Sequence, residues 1–132
     1  MPALNSYDYA IVRVVPCVER GECINVGVIL FCRTRRFLGA LISLDTQRLL
    51  ALFPTIDIDA VRSHLDNIPL VCAGSTEAGP IGQLSQSERF HWLVSPRSTI
   101  VQTSPVHCGF CSDPAAALEH LMKAMVLLPA EQ

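Results

Sequence analysis

The first third of the chain alternates between long apolar runs and short polar turns. Residues 7–16 are rich in tyrosine, isoleucine and valine, residues 24–33 are apolar on both faces, and residues 37–44 form a third apolar run. Gly21 lies in the first link, where a turn is needed. Runs of β-branched and aromatic residues separated by turn residues are typical of strands. The pattern predicts an antiparallel meander of three strands, with the second strand central in its sheet.

A helical region is predicted next, because the apolar residues change to helical spacing. Asp45 can cap a short helix over residues 46–53, and Asp57 can cap a second, longer helix that follows. Pro69 is expected to end or kink the second helix, because proline lacks the amide hydrogen that the helix needs. Residues 73–82 then have the composition of a loop.

Ser85 and Glu88 form the S-x-x-E pattern of a capping box. The pair predicts a short helix over residues 86–94, which ends before the next proline. A strand over residues 89–94 is the alternative, and it would place the arginine and the histidine of this stretch on one face. On a helix, positions two apart point roughly 200° away from each other. The choice therefore decides whether these two side chains can act together.

The end of the chain predicts one more strand and the clearest helix. Residues 98–104 are rich in β-branched residues, which favours a strand. In residues 113–128, Asp113 can cap a helix, Pro114 suits its first position, and the apolar residues form one stripe. The elements together predict a single α+β domain over residues 1–132. Its mainly antiparallel sheet, the β-meander plus the later strand, would be packed by helices on one face.

The sequence contains few charged residues. Half of its 132 residues are hydrophobic and 17% are charged, against about 25% charged residues in an average soluble domain. Such a chain either has a dense core or hides part of its surface against a partner. Its net charge of −2 gives no basic surplus, so nucleic-acid binding is not expected.

A cytoplasmic protein without a membrane segment is expected. The longest near-apolar stretch, CINVGVILFC, covers residues 23–32, which is about half the length of a membrane span. The N-terminal residues lack the basic start and the apolar run of a signal peptide.

Several well-defined motifs are absent from the sequence. It contains no G-x-x-x-x-G-K-[ST] loop, no G-x-G-x-x-G pattern, no G-x-S-x-G elbow and no H-E-x-x-H pair. The stretch HCGFC, residues 107–111, has the C-x-x-C spacing of redox sites, and with Cys17 and Cys23 it could supply zinc ligands. Cys17 and Cys23 are loosely spaced and few residues follow HCGFC, so ordinary cysteines are the favoured interpretation. No metal ion or cofactor is predicted.

A first polar cluster surrounds the predicted turn after the first strand. It contains Glu19, Arg20, Glu22 and Asn25 within seven residues. Glutamates beside an arginine could orient a substrate or act as a general base. Exposed turn charges that form weak surface pairs are the alternative.

A second polar cluster lies in SERFHWLVSPRST, residues 87–99. Arg97 and Ser98 could hold a phosphate or a carboxylate through the guanidinium and the hydroxyl group. Arg89 and His91 could add to that site, and structural roles are the alternative for both. The two aromatic residues of this stretch, Phe90 and Trp92, are expected to lie in the core.

Five blocks of the sequence resemble, in order, a known family. They are YDYAIVRVVP, ERGECINVGVILF, GPIG, SERFHWLVSPRSTIVQTSPVH and DPAAALEHL, and the resemblance as a whole runs from about Tyr7 to Val126. The blocks are similar to the bacterial family catalogued as domain of unknown function 3037. The resemblance implies a small bacterial cytoplasmic protein and supplies no activity. It also implies a protein partner, a HipA-like kinase encoded nearby.

The resemblance carries most of the polar candidates. The residues of the family pattern are all present in this sequence. They are Glu19, Arg20, Gly21, Glu22, Asn25, Gly27, Arg89, Pro96, Arg97, Ser98 and His107. It does not require cysteine at positions 17, 23 or 108, which weakens the zinc and redox interpretations.

Two hypotheses follow for the function, and whether the protein is an enzyme stays open. The favoured one is a binding or accessory subunit that acts with a protein partner or as a homo-oligomer. Its polar contacts would be Arg20, Asn25, Arg89, Arg97 and Ser98. The alternative is a small enzyme for a phosphate-bearing or other anionic substrate, with catalytic candidates Glu19, Glu22, His91 and His107. Both expect these groups to gather at one place in the fold.

Overall fold

The computed structural model describes residues 3–97 and 99–129 of the chain. The strands are β1 (Asn5–Val14), β2 (Ile24–Cys32), β3 (Phe37–Ile42), β4 (Val101–Thr103) and β5 (His107–Cys111). The helices are α1 (Thr46–Leu52), α2 (Ile58–Ala73), α3 (Gln86–Leu93) and α4 (Pro114–Met125), and a 3₁₀ segment covers Thr76–Gln83. None of the helices in these residues has the length and the apolarity needed to cross a membrane.

Each α-helix begins at the short polar residue that the sequence predicts as its cap. Asp45, Asp57 and Asp113 each accept a hydrogen bond from an amide of the first turn. Ser85 and Glu88 form a complete capping box at the start of α3. These caps satisfy amides that have no partner inside the helix. The helix predicted over residues 86–94 is therefore confirmed as α3, and the alternative of a strand over residues 89–94 is wrong.

The five strands form one antiparallel sheet in the order β3-β2-β1-β4, and β5 also pairs with β1. The meander β1-β2-β3 is confirmed. On the other edge of β1, β4 pairs with residues 12–14 and β5 pairs with residues 5–9. β4 and β5 are therefore two short strands that share one edge of the longest strand.

Ser104 bonds to β1 at the break between β4 and β5. Its amide donates to the carbonyl oxygen of Ile11 (2.8 Å), and its hydroxyl oxygen accepts from the amide of Ile11 (2.9 Å). The same hydroxyl group donates to the carbonyl oxygen of Pro105 (2.9 Å). The Ser104 side chain thus takes the place of a main-chain acceptor at the point where the regular ladder stops.

The sheet is buried on both faces. One core lies between the sheet and α1, α2 and α3, and it contains Val12, Phe31 and Leu65. The other core lies between the sheet and α4, and it contains Leu30 and Leu121. β2 supplies side chains to both cores, because neighbouring residues of a strand point to opposite faces.

The predicted α+β class and the mainly antiparallel sheet are confirmed, but the helices cover two faces instead of one. α4 packs on the face opposite to α1, α2 and α3. The physical reason is the composition of β2, which is apolar on both faces. Without α4, Val28, Leu30 and Cys32 would be exposed to water on the second face, and burying such side chains stabilises the fold.

Four local features differ from the sequence prediction. α2 continues through Pro69 to its end at Ala73, with the proline on the exposed side of the helix. The predicted loop contains the 3₁₀ segment, which turns at Gly79 with φ of 73°. The strand predicted over residues 98–104 is shorter, and HCGFC forms β5 because it pairs with the start of β1.

Candidate functional site

The turn between β1 and β2 presents the first polar cluster to solvent. Arg20 Nε donates to Glu22 Oε1 in an ion pair whose side chains are 68% and 44% exposed. The hydrogen bond that Arg20 donates to Glu22 and the negative charge of that carboxylate raise the pKa of Arg20. Glu19 is also exposed. Exposed pairs of this kind contribute little to stability, so the turn is a charged surface feature.

Asn25 lies away from this turn, on the face of the sheet that α4 covers. Its Nδ2 atom donates to the carbonyl oxygen of Met125 (3.1 Å), which is the last residue of α4. Carbonyl groups at the end of a helix have no partner inside the helix. Asn25 therefore anchors the end of α4 to β2.

Arg89 is a buried connector between helices. It is 9% exposed, and its Nη1 atom donates to the carbonyl oxygens of Val71 (2.8 Å) and Cys72 (2.7 Å) at the end of α2. Its Nε atom donates to the carbonyl oxygen of Leu84 (2.9 Å), just before α3. The positive charge also suits the C-terminal end of a helix dipole. The hydrogen bonds of Arg89 therefore connect the end of α2 to the start of α3.

The two candidate histidines lie apart from each other. His91 is exposed on α3, and its Nδ1 atom donates to the carbonyl oxygen of Ser87 (2.7 Å). His107 is exposed on β5, opposite Tyr9 of β1, and the two rings have centroids 5.4 Å apart.

Arg97 follows α3 and folds back onto it. Its Nη1 atom donates to the carbonyl oxygen of Leu93 (2.9 Å) and its Nη2 atom to that of Trp92 (2.7 Å). The guanidinium carbon lies 4.8 Å from the centroid of the Trp92 ring, which is a cation–π contact. Ser98 lies outside the described residues.

The structure does not bring Arg97, Glu22 and His107 together. His107 pairs with Tyr9, whereas Glu22 lies in the turn beyond Val14 at the other end of β1. Five residues of a strand span about 16 Å. In addition, Arg97 lies on the face of the sheet that carries α2, and His107 shares the opposite face with Tyr9. For the polar candidates within residues 3–97 and 99–129, the expected gathering at one cleft is not found.

A groove of about 550 Å³ instead lies between α2 and the segment that leads into β4. Its floor is apolar and includes Val61, Ile68 and Leu93, which are almost fully buried. Trp92 and Ile100 form more exposed apolar walls, at 37% and 41% exposure. Phe90 is in the core as predicted, but the prediction for Trp92 is wrong, because this ring lines the groove.

A small number of polar side chains surround this apolar floor. Asp57, His64 and Asn67 come from α2 and its cap, and Arg97 and Thr103 come from the opposite side. Among the candidates that the structure describes, Arg97 is the one that lies here. The sequence pattern does not mark His64 and Asn67 as site residues, although they lie beside the apolar stripe of α2 at a spacing of three residues.

β4 turns its outer edge towards the groove. Ser104 and Ile100 both bond to β1 through the main chain, with Val15 as the partner of Ile100 (2.6 Å). In an antiparallel ladder the main-chain groups of alternate residues point to opposite sides. The amides of Val101 and Thr103 therefore point away from β1. Within the described part of the chain, β4 is the last strand on this side of the sheet.

The cysteines show no paired or metal-binding arrangement in the described residues. All six thiols are free, and no group of three His, Cys, Asp or Glu side chains in the described ranges could hold a metal ion. Burial raises the pKa of Cys72 to about 12 and also raises the pKa of Cys111. Cys108 and Cys111 lie on a strand, three residues apart and so on opposite faces, unlike a C-x-x-C pair at a helix start.

The fold and the groove define an α+β domain whose antiparallel sheet has helices on both faces and a concave site beside one edge. The chain belongs to the family described as "Protein of unknown function (DUF3037)", whose model matches residues 9–126. Comparison with curated proteins finds no match, and comparison with solved structures finds none either.

Proposed function

We propose that this protein is a binding or accessory subunit whose groove between α2 and β4 receives a segment of a protein partner. The observation that carries the proposal is the groove itself, with its apolar floor and a few polar side chains around it. Such a combination is typical of binding sites, because the apolar part supplies affinity and the polar groups fix orientation.

The proposed partner is a second bacterial cytoplasmic protein, and the HipA-like kinase suggested by the family resemblance is the first one to test. A homo-oligomer is the other form of the same proposal. The exposed Trp92 supports an interaction role, because tryptophan is enriched among the residues that dominate binding at interfaces. Arg97 would add a polar contact beside it.

Site-specific photo-crosslinking in the bacterium that encodes the protein tests this proposal. A photoreactive amino acid replaces His64, which is exposed and lines the groove. The matched control carries it at Arg62, which is exposed on the same helix and is not a lining residue. We expect a crosslinked protein from position 64 and none from position 62.

Binding of the purified crosslinked protein is then measured with two charge variants. His64→Glu is expected to raise the dissociation constant at least about tenfold, because it places a negative charge against the apolar part of the groove. Arg62→Glu is expected to leave the constant unchanged. Equal crosslinking from both positions, or equal binding by both variants, would show that the groove is not the binding site.

A further inference from the structure

We infer that the bound segment is an extended strand that pairs with the outer edge of β4 and carries an acidic residue at the end nearest Arg97. This inference rests on the proposed function, because it describes how the partner occupies the same groove. Three features support it: the main-chain groups of β4, the spacing of the apolar floor, and the charge of Arg97.

The main-chain groups of β4 have the direction that strand addition needs. The bonds of Ile100 and Ser104 to β1 fix which residues of β4 point inwards. Gln102 pairs with Arg13 and bonds towards β1, so the amides of Val101 and Thr103 point away from β1. The outward carbonyl oxygen of Val101 already accepts from Thr99 Oγ1 (2.9 Å), so these two amides are the groups that a partner strand would use. An extended peptide recognises such an edge through main-chain hydrogen bonds.

The floor of the groove suits alternate apolar side chains of an extended segment. A strand beside β4 would point every second side chain to the face of the sheet that carries α2. On that face it would meet Val61, Ile68 and Leu93 of the floor. Its other side chains would face away from α2, so the segment would alternate apolar and polar residues.

The positive charge of Arg97 favours an anionic group on the bound segment. The hydrogen bonds of Arg97 go to two uncharged carbonyl oxygens. Among the described residues the one ion pair found is Arg20 with Glu22, so no described carboxylate forms an ion pair with Arg97. A guanidinium group has five N–H donors, which leaves some for a carboxylate. Arg97 precedes β4 in the chain, so the acidic residue belongs at that end of the groove.

The probe for the test is a phage-displayed library of random 12-residue peptides, selected on the full-length protein. We expect selected peptides to alternate apolar and polar residues and to carry Asp or Glu near one end. Their binding should weaken at least about tenfold in His64→Glu, which establishes the groove as the site. Binding should also weaken several-fold in Arg97→Gln and should become less dependent on salt, because one charge pair is removed.

Strand pairing itself is tested at Thr103. Thr103→Pro removes an amide that points away from β1, a substitution that edge strands tolerate. It should weaken peptide binding at least about tenfold, whereas Thr103→Val, which keeps the amide and the branched shape, should bind normally. Amide hydrogen exchange of the unmodified protein gives a second measurement. Peptide binding should slow exchange at Val101 and Thr103, while Gln102 should be slow with or without peptide.

The possible outcomes separate the two proposals. If peptides depend on His64 but bind Thr103→Pro normally and leave exchange at Val101 unchanged, the partner binds through side chains alone and strand pairing is wrong. If no selected peptide depends on His64, the groove is not the site and the proposed function fails with it. If the free protein is a dimer that Thr103→Pro dissociates, the occupant is a second copy of the chain, which overturns the acidic partner segment.

Discussion

Replacing Arg89 with methionine tests whether this residue is a structural connector. Methionine keeps a long apolar stem but removes the guanidinium group. The carbonyl oxygens of Val71, Cys72 and Leu84 would then each lose a hydrogen-bond donor. Two of these bonds lie in a buried part of the structure, at the end of α2.

The expected loss of stability follows from these bonds. A hydrogen bond contributes a net value of about 0.5–1.5 kcal/mol to folding, and an acceptor left buried without a partner costs about 1–3 kcal/mol. Losing three of them should lower the free energy of unfolding by about 3–4 kcal/mol. Small domains have a total stability of about 5–15 kcal/mol. Arg89→Met should therefore remain folded at 25 °C but unfold at a clearly lower temperature.

Urea unfolding followed by circular dichroism measures the effect, and Arg97→Met is the matched control. Arg97 also donates to two helix carbonyl oxygens, but its contacts are only part-buried or exposed, and water can replace it. The control should lose about 1 kcal/mol or less. Equal losses in the two variants, or a loss below about 1 kcal/mol in Arg89→Met, would refute the buried-connector role.

Two further predictions concern buried polar groups. Ser104→Ala should destabilise the protein by about 1–2 kcal/mol in urea unfolding, because the amide of Ile11 loses its acceptor. Ser95→Ala, which removes an exposed hydroxyl group, should change stability by less than about 0.5 kcal/mol, and similar losses in the two would contradict this reasoning. The raised pKa of Cys72, about 12 against an ordinary 9.0, means that above pH 9 the unfolded chain loses this proton while the folded chain keeps it. The free energy of unfolding should thus fall as pH rises from 9 towards 12. The fall should be larger than in Cys72→Val by about 1.4 kcal/mol at pH 10, and identical pH profiles would show that the thiol does not contribute.

Local signals explain most of what the sequence predicted correctly. The caps at Asp45, Asp57, Ser85 and Asp113 act on amides only two or three residues away, so they can be recognised without a structure. The three strands of the meander can also be recognised without a structure, because the apolar run that indicates each strand lies within its own residues. The α+β class follows from the order of such segments.

The features that the sequence did not reveal depend on distant partners. Nothing local indicates that Arg89 meets the end of α2, which is 17 residues earlier in the chain at Cys72. An arginine in a polar cluster resembles a ligand-binding residue until its acceptors are known. Likewise, His64 and Asn67 become part of a site only because β4 lies across the groove from α2. The burial of both faces of the sheet did have a local signal in the apolar faces of β2, but the prediction of helices on one face did not use it.

The interruption at Ser104 and Pro105 has a consequence for how this molecule can associate. A long, uninterrupted border strand is a template on which chains can add to one another without limit, as in fibril formation. Here that border is divided into pieces of three and five residues. A visiting strand on the shorter piece can cover only about 10 Å. Pairing at this place would therefore stop after three residues and would not extend into a continuous sheet from one molecule to the next.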